Sequence, residues 1–188
     1  MADLTTLKFE FRCTAYHEAG HLIVAHHEGF DTGPIALSPK GSGHAETSAF
    51  LPGASPVNYA ASRLRVLLAG AVAQCLVLSP GQTTCVVEAF DERGNGSIDW
   101  KRAQEMARVV ALSSLASPST KADFVAETSR VIKAHQDFVE DLLVRNDKLL
   151  RSIGQLALEK FVEILEDHDA DPWVDAAVLK AEQTNLVA

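Results

Sequence analysis

Cysteine is scarce in this sequence, and its few positions form no pairing pattern. Cys13, Cys75 and Cys85 are an odd number, and no C-x-x-C pair occurs. Disulfide frameworks of small secreted domains use even numbers of cysteines, and cysteine metal sites use closely spaced pairs. The sequence therefore predicts buried, reduced thiols in a reducing compartment, which favours a cytoplasmic location.

Basic clusters and long apolar runs are also lacking. The formal net charge is -8 and no group of lysines and arginines offsets it, so a nucleic-acid partner is not expected. The N-terminus has no apolar stretch of the kind found in secretory signals. The most apolar run, 66–78, is shorter than a membrane span, so we expect a soluble protein without a membrane partner.

What the sequence does contain is helical periodicity. With 188 residues, 47% of them hydrophobic, the chain is long enough for a single globular domain, 1–188, with its core at about 10–170. Apolar residues recur at helical spacing in four stretches: 13–28, 55–78, 97–117 and 121–167. Ser55 and Pro56 predict a cap at the start of the second stretch, and Ile98 is predicted to point inward from the third. A break near Asn146 or Gly154 would let the last stretch fold back as an antiparallel pair of helices.

Extended structure is predicted only between the first two helical stretches. The segments 35–38 and 45–51 are separated by a turn rich in glycine and serine. His44, beside this turn, is expected to be an exposed loop residue rather than a substrate contact. The fold class predicted is mainly α, with a small β-hairpin or short sheet.

One short motif carries chemistry. His17-Glu18-Ala19-Gly20-His21 has the pattern H-E-x-x-H. On a helix, residues four apart differ by about 40° around the axis and about 6 Å along it, so both imidazoles can reach one tetrahedral zinc ion. Glu18 would lean over the open side of the metal, where a bound water sits and a general base is needed.

The competing interpretation is a surface helix with two exposed histidines and a solvated glutamate. Apolar residues at helical spacing weigh against it, because they predict that this helix is buried. These residues are Ala15, Ala19, Leu22 and Ile23.

Catalytic zinc requires a third protein ligand. His27 occupies the third histidine position of H-E-x-x-H-x-x-G-x-x-H, but Val24 replaces the glycine that turns the chain. His27 should therefore stay on the helix, about 9 Å beyond His21 along the axis. Among the acidic candidates Asp99 stands out, because it follows a glycine-containing turn and opens a helix. The other candidates are Glu46, Glu88, Asp91 and Glu92.

Three segments together resemble the peptidase domain of FtsH, an ATP-dependent zinc protease. They are the Y-H-E-A-G-H run at 16–21, the apolar L-L-A-G-A-V-A run at 67–73 and G-S-I-D-W-K-R-A at 96–103. The resemblance covers about 10–170 and implies a helical zinc-peptidase domain with a small sheet. It implies zinc ligands His17, His21 and Asp99, with Glu18 as the general base.

The function implied is a zinc metalloendopeptidase that hydrolyses peptide bonds in unfolded proteins or peptides. Zinc would lower the pKa of a bound water, and Glu18 would take the proton and pass it to the leaving amine. FtsH proteins carry an AAA+ ATPase and membrane helices ahead of the peptidase, whereas no G-x-x-x-x-G-K-[ST] loop occurs here. A stand-alone peptidase is expected, and a homo-oligomer and a separate ATPase partner remain open.

Two other functions stay open. One is a non-catalytic zinc domain that binds peptides or docks onto an ATPase, although such a domain has no need of Glu18 as a base. The other is a specialised hydrolase that acts on a single protein or a small amide. Departures from the FtsH pattern lie in the second helix, where Ala69 and Ala71 replace a glycine and an arginine, and Gln74-Cys75 replaces an acidic pair.

Overall fold

The computed structural model describes residues 9–38, 41–79, 97–115 and 120–166. Within these residues the chain is mainly helical with one two-stranded antiparallel sheet, which confirms the predicted fold class. In chain order the elements are α1 (Phe9–His27), β1 (Thr32–Leu37), β2 (Gly43–Thr47), α2 (Pro56–Leu78), α3 (Ser97–Ser114), α4 (Lys121–Arg145) and α5 (Asp147–Glu166).

Helix α1 lies at the centre of the molecule, in contact with α2, α5 and both strands. Every residue from Cys13 to Ala25 is buried, so the helix is enclosed on all sides rather than along one stripe. It begins four residues earlier than predicted. Because burial of polar groups is unfavourable unless they are paired, its buried polar side chains mark a candidate site. They are Thr14, His17, Glu18 and His21.

Helix α2 separates two hydrophobic cores. Its first turn is capped by Ser55, whose side chain accepts a hydrogen bond from the backbone N–H of Asn58, and Pro56 follows, as predicted. One side of α2 packs into a core with α1, the sheet, α5 and the second half of α4, which we call the α1 core. The other side packs against α3 and the first half of α4, in what we call the α3 core.

Among the described residues, α2 alone is long and apolar enough, by length and composition, to cross a membrane. The helix is longer than the apolar run noted in the sequence, because it begins ten residues before Val66. Within its most apolar window, 56% of the residues are buried inside the protein. A helix enclosed between two cores has this composition for that reason alone, so this is weak evidence for a membrane span.

The sheet is a hairpin that pairs Ile35 with Ala45 and Leu37 with Gly43. The buried side chains of Ile35, Leu37 and Ala45 belong to the α1 core. Strand β2 ends at Thr47, short of the predicted 51, because Ser48 accepts a hydrogen bond from the backbone N–H of Phe50 in a turn. Within the described residues, β2 pairs with β1 alone, so its outer edge is unpaired.

The last helical stretch divides at Asn146, as predicted, into α4 and α5. The prediction of an antiparallel pair is wrong, because α5 packs on α1 while α4 packs mainly on α2 and α3. Gly154 lies inside α5, where an added Cβ would stand 2.3 Å from the ring of Tyr16. Its role is therefore to admit the Tyr16 ring rather than to end a helix.

The cysteines differ from the prediction in one respect. Cys13 is a free, buried thiol, and burial raises its pKa to about 11. Cys75 is disulfide-bonded, so the prediction of a reduced thiol is wrong at this position. Cys85 lies outside the described residues.

Candidate metal centre

Three side chains from two helices converge between the cores. His17 and His21 lie one turn apart on α1, and Asp99 lies in the first turn of α3, 82 residues after His17. Asp99 Oδ2 is 3.3 Å from His17 Nε2 and 3.2 Å from His21 Nε2. Each of the three residues offers one ligand atom, these atoms lie within 4.8 Å of one another, and the group could hold a metal ion.

The spacing of these atoms fits a small tetrahedral cation. Two ligand atoms that each lie about 2.0–2.1 Å from a tetrahedral ion are about 3.3–3.4 Å apart. Both distances from the carboxylate oxygen to the imidazole nitrogens are close to this separation. Two imidazoles and one carboxylate also form a ligand set that leaves a fourth position for water.

The backbone of α2 orients the imidazole of His21. His21 Nδ1 lies 2.7 Å from the carbonyl oxygen of Val66, which can only accept a hydrogen bond, so Nδ1 carries a proton. Neutral His21 would then present the lone pair of Nε2 to the Asp99 carboxylate. That contact is favourable when Nε2 is protonated or when a cation lies between the two atoms. A hydrogen bond from the far nitrogen to a carbonyl is the usual support of a metal-binding histidine.

Helix α2 also makes room for His17. An added Cβ at Gly70 would stand 2.4 Å from His17 Nε2, so only glycine lets this imidazole lie against the helix. On α1, Gly20 plays the reciprocal part, since an added Cβ there would stand 2.5 Å from the Cβ of Ala73. Among the described residues, no group forms a hydrogen bond with the buried His17 Nδ1. The ring is therefore positioned by close packing.

The charges in the group stabilise one another. Burial alone would raise the pKa of Asp99, but the hydrogen bonds from His17 and His21 outweigh burial and hold that pKa well below its usual range. Burial alone would lower the pKa of His21, but the Asp99 hydrogen bond and the Glu18 and Asp99 charges raise it. Without a metal the group therefore favours a carboxylate beside an imidazolium.

Glu18 is buried and lies beside the hairpin. An added Cβ at Gly43 would stand 2.8 Å from Glu18 Cγ and 2.5 Å from a methyl group of Thr14, so this glycine lets β2 approach α1. Glu18 lines the same cleft as the three converging side chains. A carboxylate in this place can exchange a proton with a ligand held there.

The cleft has a volume of about 400 Å³ and is bounded on one side by β2. His44 is exposed, as expected, but it lies on β2 rather than in a loop, and it lines the cleft. Ile98, predicted to point inward, is 62% exposed and also lines the cleft. Two basic residues, Arg63 and Arg102, also line the cleft.

The other candidates do not join the group. His27 packs against the ring of Phe138, with 5.9 Å between the ring centroids. Glu46 is exposed on β2 beside Gly33 and does not line the cleft. Glu88, Asp91 and Glu92 lie outside the described residues.

No protein-family model matches the chain, and no curated protein matches it significantly. The resemblance to FtsH therefore depends on the three sequence segments alone.

Several residues of the site were missed from the sequence. A glycine inside a buried helix costs about 1 kcal/mol relative to alanine, so Gly70 was itself a signal of a close approach. The carbonyl of Val66 left no signal, because every residue has one. Arg63 and Arg102 looked like ordinary surface charges, and only the folded chain brings them to the cleft.

Proposed function

We propose that this chain is a zinc-dependent metallopeptidase, similar to the FtsH peptidase domain, that hydrolyses peptide bonds in unfolded proteins or peptides. The observation that carries the proposal is the convergence of His17, His21 and Asp99 at distances that suit a tetrahedral ion. Zinc is the ion that best suits two imidazoles, one carboxylate and an open fourth position.

Each residue has a defined part in this proposal. His17, His21 and Asp99 hold the ion, which when bound supplies an acidified water and polarises the scissile carbonyl. Val66 keeps the proton of His21 on Nδ1, so that Nε2 is free to act as a ligand. With the ion bound, Glu18 would accept a proton from the water and would donate it to the leaving amine.

The unpaired edge of β2 is the proposed binding surface for the substrate. It borders the cleft that contains Glu18, and its backbone N–H and C=O groups can pair with an extended peptide. Such pairing uses main-chain atoms for affinity and thus suits unfolded segments of varied sequence. A homo-oligomer, a separate ATPase partner and a cytoplasmic location remain predictions.

The decisive experiment replaces the base and leaves the ligands intact. Glu18→Gln removes a proton acceptor but no metal ligand, so the purified variant should keep one zinc per chain and lose casein cleavage by more than about 100-fold. Zinc is measured by elemental analysis and cleavage by release of labelled peptides.

His26→Gln, an exposed change near the end of α1, is the matched control and should retain both properties. A zinc-loaded parent protein that cleaves no peptide would favour the non-catalytic module. An unchanged rate in Glu18→Gln would remove Glu18 from the reaction.

A further inference from the structure

Two arginines separated by one residue on α2 differ in how the protein uses their charge. The charge of Arg65 is compensated by an ion pair with Glu28, to which it donates a hydrogen bond at 2.8 Å. Arg65 also donates to His135 Nδ1 at 3.0 Å and lies 4.2 Å from the ring centroid of Phe138. Arg63 donates to the hydroxyl of Thr47 at 3.0 Å. Its guanidinium also stands 5.9 Å from the ring centroid of Phe30.

Arg63 therefore reaches the cleft with its charge uncompensated. In the described part of the chain, no carboxylate lies within salt-bridge distance of this guanidinium. The bond to Thr47 uses one of its five N–H donors and fixes the side chain at the far end of β2. The half-buried stem and the anchored head make Arg63 a rigid cationic group rather than a freely solvated one.

Arg102, which is exposed on α3, brings a second guanidinium to the lining of the same cleft. It lies three residues after Asp99 on α3, and residues three apart on a helix are neighbours on its surface. None of the described carboxylates forms a salt bridge with it either. The two arginines thus come from two helices, α2 and α3, and line one cleft.

The cleft lacks the acidic excess of the whole chain, because its two arginines match its two carboxylates in number. The sequence has a formal net charge of -8, whereas the acidic residues that line the cleft are Glu18 and Asp99. A bound divalent cation would neutralise these two carboxylates and leave both guanidinium charges. A cationic cleft in an acidic protein attracts anionic ligands selectively.

From this arrangement we propose that the cleft selects peptides that carry a carboxylate close to the bond that is cleaved, and that Arg63 and Arg102 bind it. The proposal rests on the metallopeptidase function and specifies its substrate class. A guanidinium and a carboxylate form charge-assisted, often bidentate hydrogen bonds, which suit both recognition and orientation.

The hairpin sets the range of positions for this carboxylate. Gly43 packs against Glu18 and Thr47 is hydrogen-bonded to Arg63, so four residue-to-residue steps along β2 separate the base from this arginine. At a rise of about 3.3 Å per residue this is about 13 Å along an extended peptide. Carboxylates within about four residues of the scissile bond are therefore within reach of the arginines.

The test measures peptide binding first and cleavage second. Peptides with acetylated and amidated ends carry one Glu or one Gln at each position within four residues of a fixed bond. One further Gln peptide keeps a free C-terminal carboxylate, which distinguishes a terminal carboxylate from one on a side chain. Binding to zinc-loaded Glu18→Gln is followed by fluorescence anisotropy, and cleavage by the unmutated protein is followed by fluorescence dequenching.

We expect at least one Glu peptide, or the peptide with the free C-terminus, to bind about five-fold more tightly than its neutral counterpart. The preference should shrink in high salt, because part of it is an exposed charge interaction. Equal binding of all peptides would overturn the inference, even if every peptide were cleaved. Preferential binding of carboxylate peptides without any cleavage would support the inference and would contradict the peptidase function.

Substitutions in this background separate recognition from folding. Arg102→Glu should abolish the preference for Glu peptides over Gln peptides, because the new carboxylate offsets the charge of Arg63. Arg63→Gln keeps a donor for Thr47 and should weaken only the carboxylate preference. Arg108→Gln, an exposed change further along α3 and outside the cleft, is the matched control and should change nothing. A preference that survives both Arg102→Glu and Arg63→Gln would overturn the inference.

Discussion

The α1 core and the α3 core, on either side of α2, differ in the size of the side chains that α5 and α3 contribute to them. The α1 core contains large, fully buried residues such as Leu22, Ile23, Ile153 and Phe161. Helix α3 contributes only alanines to the fully buried part of its core, at Ala103, Ala107 and Ala111. Large side chains fill space between distant elements, whereas alanines spaced four apart give a helix a flat face that can approach another helix closely.

This difference explains how Asp99 reaches the two histidines. Asp99 stands four residues before Ala103 and therefore lies on the same face of α3 as the alanine stripe. That face is directed toward α2, where Gly70 leaves space for the His17 ring. The α1 core holds the two histidines in place, and the small residues of the α3 core bring the carboxylate to them.

The largest effect on the free energy of unfolding is expected from a substitution in the α1 core. Phe161→Ala removes a buried ring that contacts Phe11, and a phenylalanine-to-alanine change in a core lowers the free energy of unfolding by about 3–5 kcal/mol. Urea denaturation of metal-free protein measures the change. Phe50→Ala, at a side chain that is 69% exposed, is the control and should have little effect. Equal losses in both variants would contradict the assignment of the core.

The second-largest effect is expected when Asp99, the residue that α3 contributes to the candidate site, is replaced. Asp99→Ala should weaken zinc binding by more than about 100-fold, because removal of a direct ligand exceeds the 10- to 100-fold effect of a supporting partner. Competition with a chromophoric chelator measures this affinity. His27→Ala is the matched control and should leave the affinity nearly unchanged, since His27 packs on Phe138. The opposite ranking would reassign the third ligand to His27.

Substitutions at Gly70 and Gly154 compare close packing at the candidate site with close packing elsewhere in the protein. Gly70→Ala and Gly154→Ala each place a Cβ less than 2.5 Å from a ring, and each should lower the free energy of unfolding by about 1–3 kcal/mol. Only Gly70→Ala meets a side chain of the proposed metal site, so only it should weaken zinc affinity, by about 10-fold. Calorimetry measures stability and affinity on the same samples. Equal affinities in the two variants would remove Gly70 from the site.

The smallest effect is expected for the hydrogen-bonded group of Glu28, Arg65 and His135. Burial lowers the pKa of His135 below its ordinary value near 6.5, and the Arg65 charge lowers it further, while Glu28 opposes both. The unfolded chain therefore binds this proton more readily than the folded protein. Stability from neutral His135 is present in full above about pH 6.5 and is lost as the pH falls from that value through the lower pKa of the folded state.

His135→Gln should flatten this dependence, since glutamine cannot take up the proton yet can still accept a hydrogen bond from Arg65. Urea denaturation of both proteins at pH 7 and pH 5, with chelator present, measures the difference. An equally steep loss of stability in the variant would assign the dependence to other groups.

Local signals in the sequence predicted much of the fold correctly. The cap at Ser55 and Pro56, the break at Asn146 and the hairpin between the first two helices each depend on neighbouring residues. The predictions that failed required knowledge of partners. Helices α4 and α5 pack on different neighbours instead of on each other, and Ile98 faces the cleft because the alanine face of α3 meets α2.

The sequence by itself determined the pairing of His17 with His21, because four residues of α-helix fix the spacing of two side chains whatever surrounds them. Only the tertiary structure decided that Asp99 meets them, that the Val66 carbonyl orients one ring, and that Gly70 admits the other. The physical reason is that helical geometry is set by local backbone bonds, whereas contacts between residues far apart in the chain depend on how closely two packed helices approach.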